Sequence, residues 1–232
     1  MNSDFLPNFK YIFTNPFFLT RRYLYLFINQ LSKKIGKGKL LDIGCGTKPY
    51  QGFFKEAEYV GMDYAHGINV SNPNADVFYD GKHFPFPDSS FEYVLATEVL
   101  EHVFNPDDFL REIERVLKKD GLGIITVPFI WDEHEIPYDF GRYTSFGIKA
   151  ILERNGFEVL EQHKTGNFIV TLGQLFCTYL YYIISPHRIF YKVSLPFVFA
   201  PIQIFTLFLS RMLPSHQGFY LDNILLVRKV SR

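Results

Sequence analysis

LLDIGCGTKPY, residues 40–50, decides how this chain folds. Leu40, Leu41 and Ile43 make a short apolar run around Asp42, the pattern of a buried strand. Gly44 and Gly46 follow at once, so the strand ends in a turn that needs unusual backbone angles or room for a close neighbour. In an open parallel sheet such a turn lies beyond the carboxyl ends of the strands, where ligands bind as the strand order reverses.

Working outward, residues 17–35 carry Leu24, Phe27, Ile28 and Leu31 at helical spacing. Short apolar segments predict strands at 39–43, 58–62, 76–79, 91–96, 123–127, 157–162 and 221–228. Residues 105–119 predict a helix: Asn105 as cap, Pro106 in the first turn, Asp107 and Asp108 at the positive end of the dipole. Its buried stripe is Phe109, Ile113, Val116 and Leu117, and Lys118, Lys119 and Gly121 mark its end. A further helix opens at Thr144 or Ser145, with Ile148, Ile151 and Leu152 inward and Gly156 as its stop. Alternating strands and helices imply an α/β fold, an open and mostly parallel sheet covered on both faces.

The glycine turn also restricts the ligand. A dinucleotide fingerprint wants a third glycine, where this chain has Thr47, Lys48 and Pro49. That disfavours a nicotinamide-dependent oxidoreductase. Asp42 would repel phosphate but suits a ligand with an ammonium and a sulfonium. Asp63 closes the second strand, and its two acceptor oxygens suit the two hydroxyls of a ribose. Ribose, positive charge and no phosphate describe S-adenosylmethionine.

LLDIGCGTKPY, the acid in GMDY (61–64) and FPFPDSSFEYVLATEVLEHVFNPDDFLREIERVLKKDGLGIITVPF (84–129) together resemble the class I S-adenosylmethionine-dependent methyltransferases. The likeness is greatest to the subgroup of small-molecule and quinone methyltransferases, and it covers residues 36–166 and the last strand. It implies a Rossmann-like, doubly wound, seven-stranded sheet with the last strand antiparallel. It also implies that Asp42, Gly44, Cys45 and Gly46 hold the methionine part of the cofactor and Asp63 the ribose. Asp80 and Gly81 would contact the adenine, and Ala96 and Thr97 would line the floor. YAHGINVSNPNA (64–75) departs from the family in lacking a helical pattern and reads as a loop.

Two groups of residues offer chemistry. Glu98, Glu101 and His102 in TEVLEHV (97–103) share one face if this stretch is helical, and could hold a divalent metal ion. The plainer reading is a capped helix start with solvent-facing charges. FIWDEHEIPYDFGRYT (129–144) follows the fifth strand and is longer than ordinary connections, which suits a functional loop. In it His134 is the candidate general base, the residue type suited to proton transfer near neutral pH. Asp139 and Arg142 can pin the loop, and Arg142 and Tyr143 either anchor it or bind an anionic group. Nothing in the pattern makes Cys45 a nucleophile.

Lys plus Arg and Asp plus Glu balance at 24 each, which gives no field for nucleic acid. Two cysteines cannot build a disulfide framework and suit a reducing cytoplasm. The N-terminus does not read as a signal peptide. The expected organisation is an N-terminal helical lead (1–36), a cofactor-binding domain (37–166 with 217–232) and an apolar helical insertion between strands six and seven (167–216). The insertion has uncharged runs at 165–186 and 193–210. Pro196 and Pro201 argue against an uninterrupted spanning helix. A crossing hairpin would put Arg188 and Lys192, in the expected turn 186–192, on the far side against the positive-inside tendency. An interfacial placement fits better; a soluble cap over the substrate pocket and a true hairpin are the alternatives. The expected protein therefore O-methylates an amphipathic or lipid-linked small molecule on the inner face of a membrane. The alternative is a membrane-associated protein that binds S-adenosylmethionine without catalysis.

Overall fold

The computed structural model describes residues 8–65 and 72–230. Part of the 64–75 crossover lies outside them. The strands are β1 (Gly38–Ile43), β2 (Ala57–Tyr64), β3 (Val77–Tyr79), β4 (Phe91–Thr97), β5 (Leu117–Pro128), β6 (Phe157–Lys164) and β7 (Asp222–Lys229). They form one seven-stranded sheet in the order β3-β2-β1-β4-β5-β7-β6, with the last strand antiparallel. β1 pairs in parallel with β2 on one side and β4 on the other. The strand order therefore reverses at β1, and the glycine turn stands at the switch point.

The helices are α1 (Phe18–Ser32), α2 (Pro106–Val116), α3 (Ser145–Arg154), α4 (Phe168–Ile184), α5 (Arg188–Ser194) and α6 (Ala200–Met212). The reading of 105–119 is corrected at both ends. Asn105 stands at the cap position, but its side chain makes no capping bond and donates to Asp108 instead. At the other end α2 stops at Val116, because the wholly buried Leu117 turns extended and pairs with Phe91 across the sheet. Lys118, Lys119 and Asp120 are the exposed start of β5. Thr144 caps α3 as expected, accepting from Gly147 N at 3.0 Å.

The chain forms two compact units. One comprises Ile28–His163 and the last strand from Asn223; its core joins Leu41 and Ile43 of β1, Val94 of β4, Ile125 of β5, Leu110 and Ile113 of α2, Ile148 and Leu152 of α3, and Leu225 of β7. The other comprises the N-terminal segment up to Phe27 with Lys164–Asp222.

In the second unit the polarity of the helices is inverted. α4 buries Thr171, Gln174 and Thr178 beside Val170 and Cys177, while Leu172, Phe176, Tyr179, Tyr182 and Ile183 are exposed. α6 likewise buries Gln203 and Thr206 and exposes Ile204, Phe205, Phe208 and Met212. The buried amides donate to the N-terminal segment: Gln174 Nε2 to Pro16 O and Gln203 Nε2 to Asn15 O, both at 3.1 Å. Gly173 lies so close to Thr206 that a Cβ there would collide with it, so the two helices pack through small residues.

Pro196 and Pro201 do not stop the second apolar stretch. Arg188–Met212 is one helical run of 25 residues, long and apolar enough to cross a membrane by length and composition. A π-helical turn at Leu195–Phe199 absorbs the prolines: Ala200 N donates five residues back to Leu195 O, and the wider turn relieves the ring crowding. The reversal after α4 takes only residues 185–187, so Arg188 and Lys192 ride on a helix and not in a turn.

Candidate cofactor and acceptor site

Gly44 and Gly46 have φ of 67° and 47°, the left-handed region that a side chain resists. The N–H groups of Gly44 and Cys45 both donate to Met62 O, at 2.9 and 3.1 Å, fastening the turn to β2. Val99 covers Gly44 from the β4 side; a Cβ at Gly44 would come within 2.5 Å of it.

Two acids flank this turn, both almost wholly buried. Asp42 is 2% exposed and accepts from the Tyr59 hydroxyl at 2.5 Å. Burial pushes its carboxyl up to about 7, although Tyr59 and Lys48 oppose the rise. Asp63 is 1% exposed and accepts from Tyr64 N at 2.8 Å and from Asn72 Nδ2 at 2.7 Å. The same Asn72 nitrogen lies 2.7 Å from Gly46 O, so one amide ties the glycine turn to the second acid. Sequence reasoning missed Asn72. Its Asn-Pro-Asn context signals a turn, and Asn74 N does donate to its Oδ1 at 3.0 Å. The contact with Asp63 is tertiary and leaves no local signal.

The sequence marks Lys48 only as one of the residues in place of a third glycine, yet it pairs with Asp76 at 2.6 Å, and Asp76 also accepts from Gly61 N at 2.7 Å. Burial raises the Asp76 carboxyl, but these two donors outweigh it and hold it below the usual range. Cys45 is buried, and burial, with the charges of Asp42 and Asp63, pushes its thiol up to about 12. It is no nucleophile at neutral pH.

The remaining predicted positions follow the same edge. Asp80 is exposed and accepts from Lys82 N and His83 N at 2.8 and 3.0 Å, bonds that lower its pKa. Gly81 faces the Tyr64 ring, which a Cβ would meet at 2.6 Å. Ala96 is buried opposite Ile43, and Thr97 ends β4 half-buried.

Beyond β4 the structure regroups the predicted chemistry. Glu98 takes a left-handed φ of 53°, and its Oε1 accepts from the Thr126 hydroxyl at 2.6 Å. It does not share a face with Glu101 and His102, because a short 3-10 turn (Leu100–His102) replaces the expected α-helix. His134, from the loop after β5, joins them instead: its ring lies edge-on to His102, centroids 4.7 Å apart.

Backbone bonds fold that loop over the turn. Phe140 N and Gly141 N donate to Glu101 O at 2.7 and 3.2 Å, and His102 Nδ1 lies 2.7 Å from Tyr138 O. Arg142 grips both oxygens of Asp139 at 2.6 Å and donates to Asp132 O at 2.7 Å, the role of a loop anchor. Burial raises the Asp139 carboxyl, but the guanidinium overrides it and brings it down to about 2. Asp139 also accepts from His134 N at 3.0 Å. The loop is therefore pinned at His134 itself.

Residues 41–125 match the family described as Methyltransferase domain. A probable S-adenosylmethionine-dependent methyltransferase from Mycolicibacterium smegmatis is 27% identical over 154 residues, 62% of this chain and 58% of that one. The tRNA (carboxymethyluridine(34)-5-O)-methyltransferase of Schizosaccharomyces pombe is 30% identical over 93 residues, 39% of this chain and 41% of that protein. Among solved structures, the [4+2]-cyclase SpnF superposes with a TM-score of 0.58 at 19% identity, covering 91% of this chain and 82% of that one. A putative methyltransferase from Bacillus halodurans gives 0.56 at 16%, covering 89% and 98%. At such identities the superpositions establish the fold. The matched segment and the fold are those of class I S-adenosylmethionine-dependent methyltransferases, a class whose cofactor is S-adenosylmethionine. It spans about half the length of the curated relatives it matches.

Proposed function

We propose that this protein transfers the methyl group of S-adenosylmethionine to an oxygen of an amphipathic or lipid-linked small molecule, working at the cytoplasmic face of a membrane. The observation that carries the transfer is the pair of buried acids, Asp42 and Asp63, around a glycine turn at the switch point of a methyltransferase domain. Asp42 would face the ammonium of the methionine part and Asp63 the ribose hydroxyls, which requires Asn72 to yield its bond to Asp63. Asp80, Gly81, Ala96 and Thr97 would complete the adenine side.

In the reaction a lone pair on the acceptor oxygen attacks the methyl carbon. The carbon–sulfur bond breaks, its electron pair stays on sulfur, and the sulfonium charge is discharged. Alignment supplies much of the acceleration. The acceptor's proton leaves to a base, and His134, pinned through Asp139, is the group we assign to that task. The S. pombe relative's name includes O-methyl transfer, which supports oxygen as the acceptor.

The inverted helices of the second unit support the membrane part of the reading. Water makes large apolar side chains costly outside, and lipid does not; polar and small residues between helices are what packing in lipid favours. The described residues of this unit carry Lys10, Arg21, Arg22, Lys164, Arg188, Lys192 and Arg211 against one acid, the buried Asp222. Such a surface matches anionic headgroups.

SpnF, a [4+2]-cyclase on this fold, is a reminder that the fold alone does not dictate the reaction. Incubation with methyl-labelled S-adenosylmethionine and a membrane-lipid extract tests the proposal. Label in an extractable lipid or amphiphile is expected. Cofactor binding with no transfer to any fraction would leave a binding protein.

A further inference from the structure

We propose that Glu101, His102 and His134 form a binding site for a divalent transition-metal ion, with positions left for an oxygen ligand. The three side chains come from two connections, the turn after β4 and the loop after β5, and their candidate ligand atoms lie within 4.8 Å of one another. Small side-chain adjustments bring such atoms to the roughly 2.0–2.2 Å that nitrogen and oxygen ligands take around zinc.

Both imidazoles are oriented as metal-binding imidazoles are. His102 Nδ1 lies 2.7 Å from Tyr138 O, and His134 Nδ1 lies 3.2 Å from Asp132 O. A carbonyl only accepts, so the His102 contact puts the proton on Nδ1 and leaves Nε2 a lone pair. His134 Nδ1 faces the donor Arg142 Nη2 at 3.5 Å but has two nearer acceptors, Asp132 O and Asp139 Oδ2 at 3.3 Å, which favour the same tautomer. His102 Nε2 then stands 3.8 Å from a Glu101 carboxylate oxygen. The Glu101 side chain is wholly buried, and in that low-dielectric setting its charge acts strongly on a cation placed beside it.

Two imidazoles with one carboxylate suit ions of the manganese-to-zinc series better than magnesium or calcium, which prefer oxygen throughout. Glu98 is outside the set, since its carboxylate takes the Thr126 hydroxyl. Val99, between Glu98 and the cluster, packs on Gly44, so the ion would stand on the edge of the sheet that carries the glycine turn. A hydroxyl bound to it would lose its proton more readily; with the ion bound His134 would serve as its ligand, and without the ion as the base assigned above. That catalytic role rests on the methyl-transfer reading; the ion site does not.

Titrating Zn2+ and Mn2+ into the full chain by calorimetry, with metal analysis after desalting, tests the site. One ion per chain is expected. His102→Ala, His134→Ala and the near-isosteric Glu101→Gln should each weaken binding at least about tenfold, while Glu98→Gln should match the wild type. Thermal melts in chelator check that each variant folds. No binding by the wild type, or equal Zn2+ affinity in folded Glu101→Gln and His134→Ala variants, overturns the proposal. S-adenosylmethionine titrated into the same samples separates this failure from failure of the methyltransferase reading.

Discussion

The two units use polar side chains in opposite ways. In the sheet unit the buried acids Asp42 and Asp63 gather at one edge, beside a glycine turn, and the apolar residues form the core beneath. In the helical unit Gln174, Gln203, Thr171, Thr178 and Thr206 are inside and the aromatics of α4 and α6 outside. Burial of charge in the first is local and directed at a ligand. Burial of amides in the second holds helices together while apolar side chains face outward. On the proposed reading the chain meets two surroundings, water around a binding edge and an apolar medium around a helical surface.

The sharpest way to break that comparison is vesicle binding. The full chain should float with anionic liposomes, and replacing residues 167–213 by a short linker should abolish this. Because that variant can misfold, Phe176→Ser and Phe205→Ser together, both exposed positions, should also reduce flotation while cofactor affinity stays unchanged. A full chain that stays monodisperse and unbound without detergent would make the helical unit a soluble cap.

Next in size is the effect on turnover. His134→Ala should lower the rate at least about a hundredfold, the usual range for loss of a general base, without changing cofactor affinity. Wild-type turnover in this variant would place proton removal elsewhere.

Asp63→Ala should weaken S-adenosylmethionine binding by about 1.5–3 kcal/mol, the range for hydrogen bonds to a charged acceptor. Calorimetry that finds equal affinity in a folded variant would remove the ribose assignment.

The smallest effect is a pH dependence confined to the sheet unit. The Asp42 carboxyl stands at about 7 in the ligand-free fold, so it is charged above that pH and protonated below it. A cationic ligand prefers the charged form. Affinity should therefore fall as pH drops from 8 to 6, approaching about tenfold per unit below 7, and Asp42→Asn should flatten the profile. An unchanged slope in Asp42→Asn would assign the titration to another group.

Local chemistry made much of this legible. The strand-to-glycine junction at residues 40–46, the acid closing β2 and the stripe of α2 depend on neighbours a few positions away, and periodicity reports them directly. The same reasoning ran α2 on to residue 119, because helical spacing continues through Leu117 while the choice to pair with Phe91 is made across the sheet.

What the sequence determined alone was the sheet class, the place of the glycine turn at the carboxyl end of the first strand and an apolar helical segment before the last strand. Tertiary structure decided the rest. It set Asn72 on Asp63, turned Glu98 toward Thr126, and brought His134 to Glu101 and His102 across more than thirty positions of chain. It also decided which faces of α4 and α6 turn inward, and that the prolines are absorbed in a π turn. The physical reason is one of range. A turn or a stripe is selected by local sterics and hydration, whereas a contact between distant loops forms only when the surrounding packing repays the entropy of closing them.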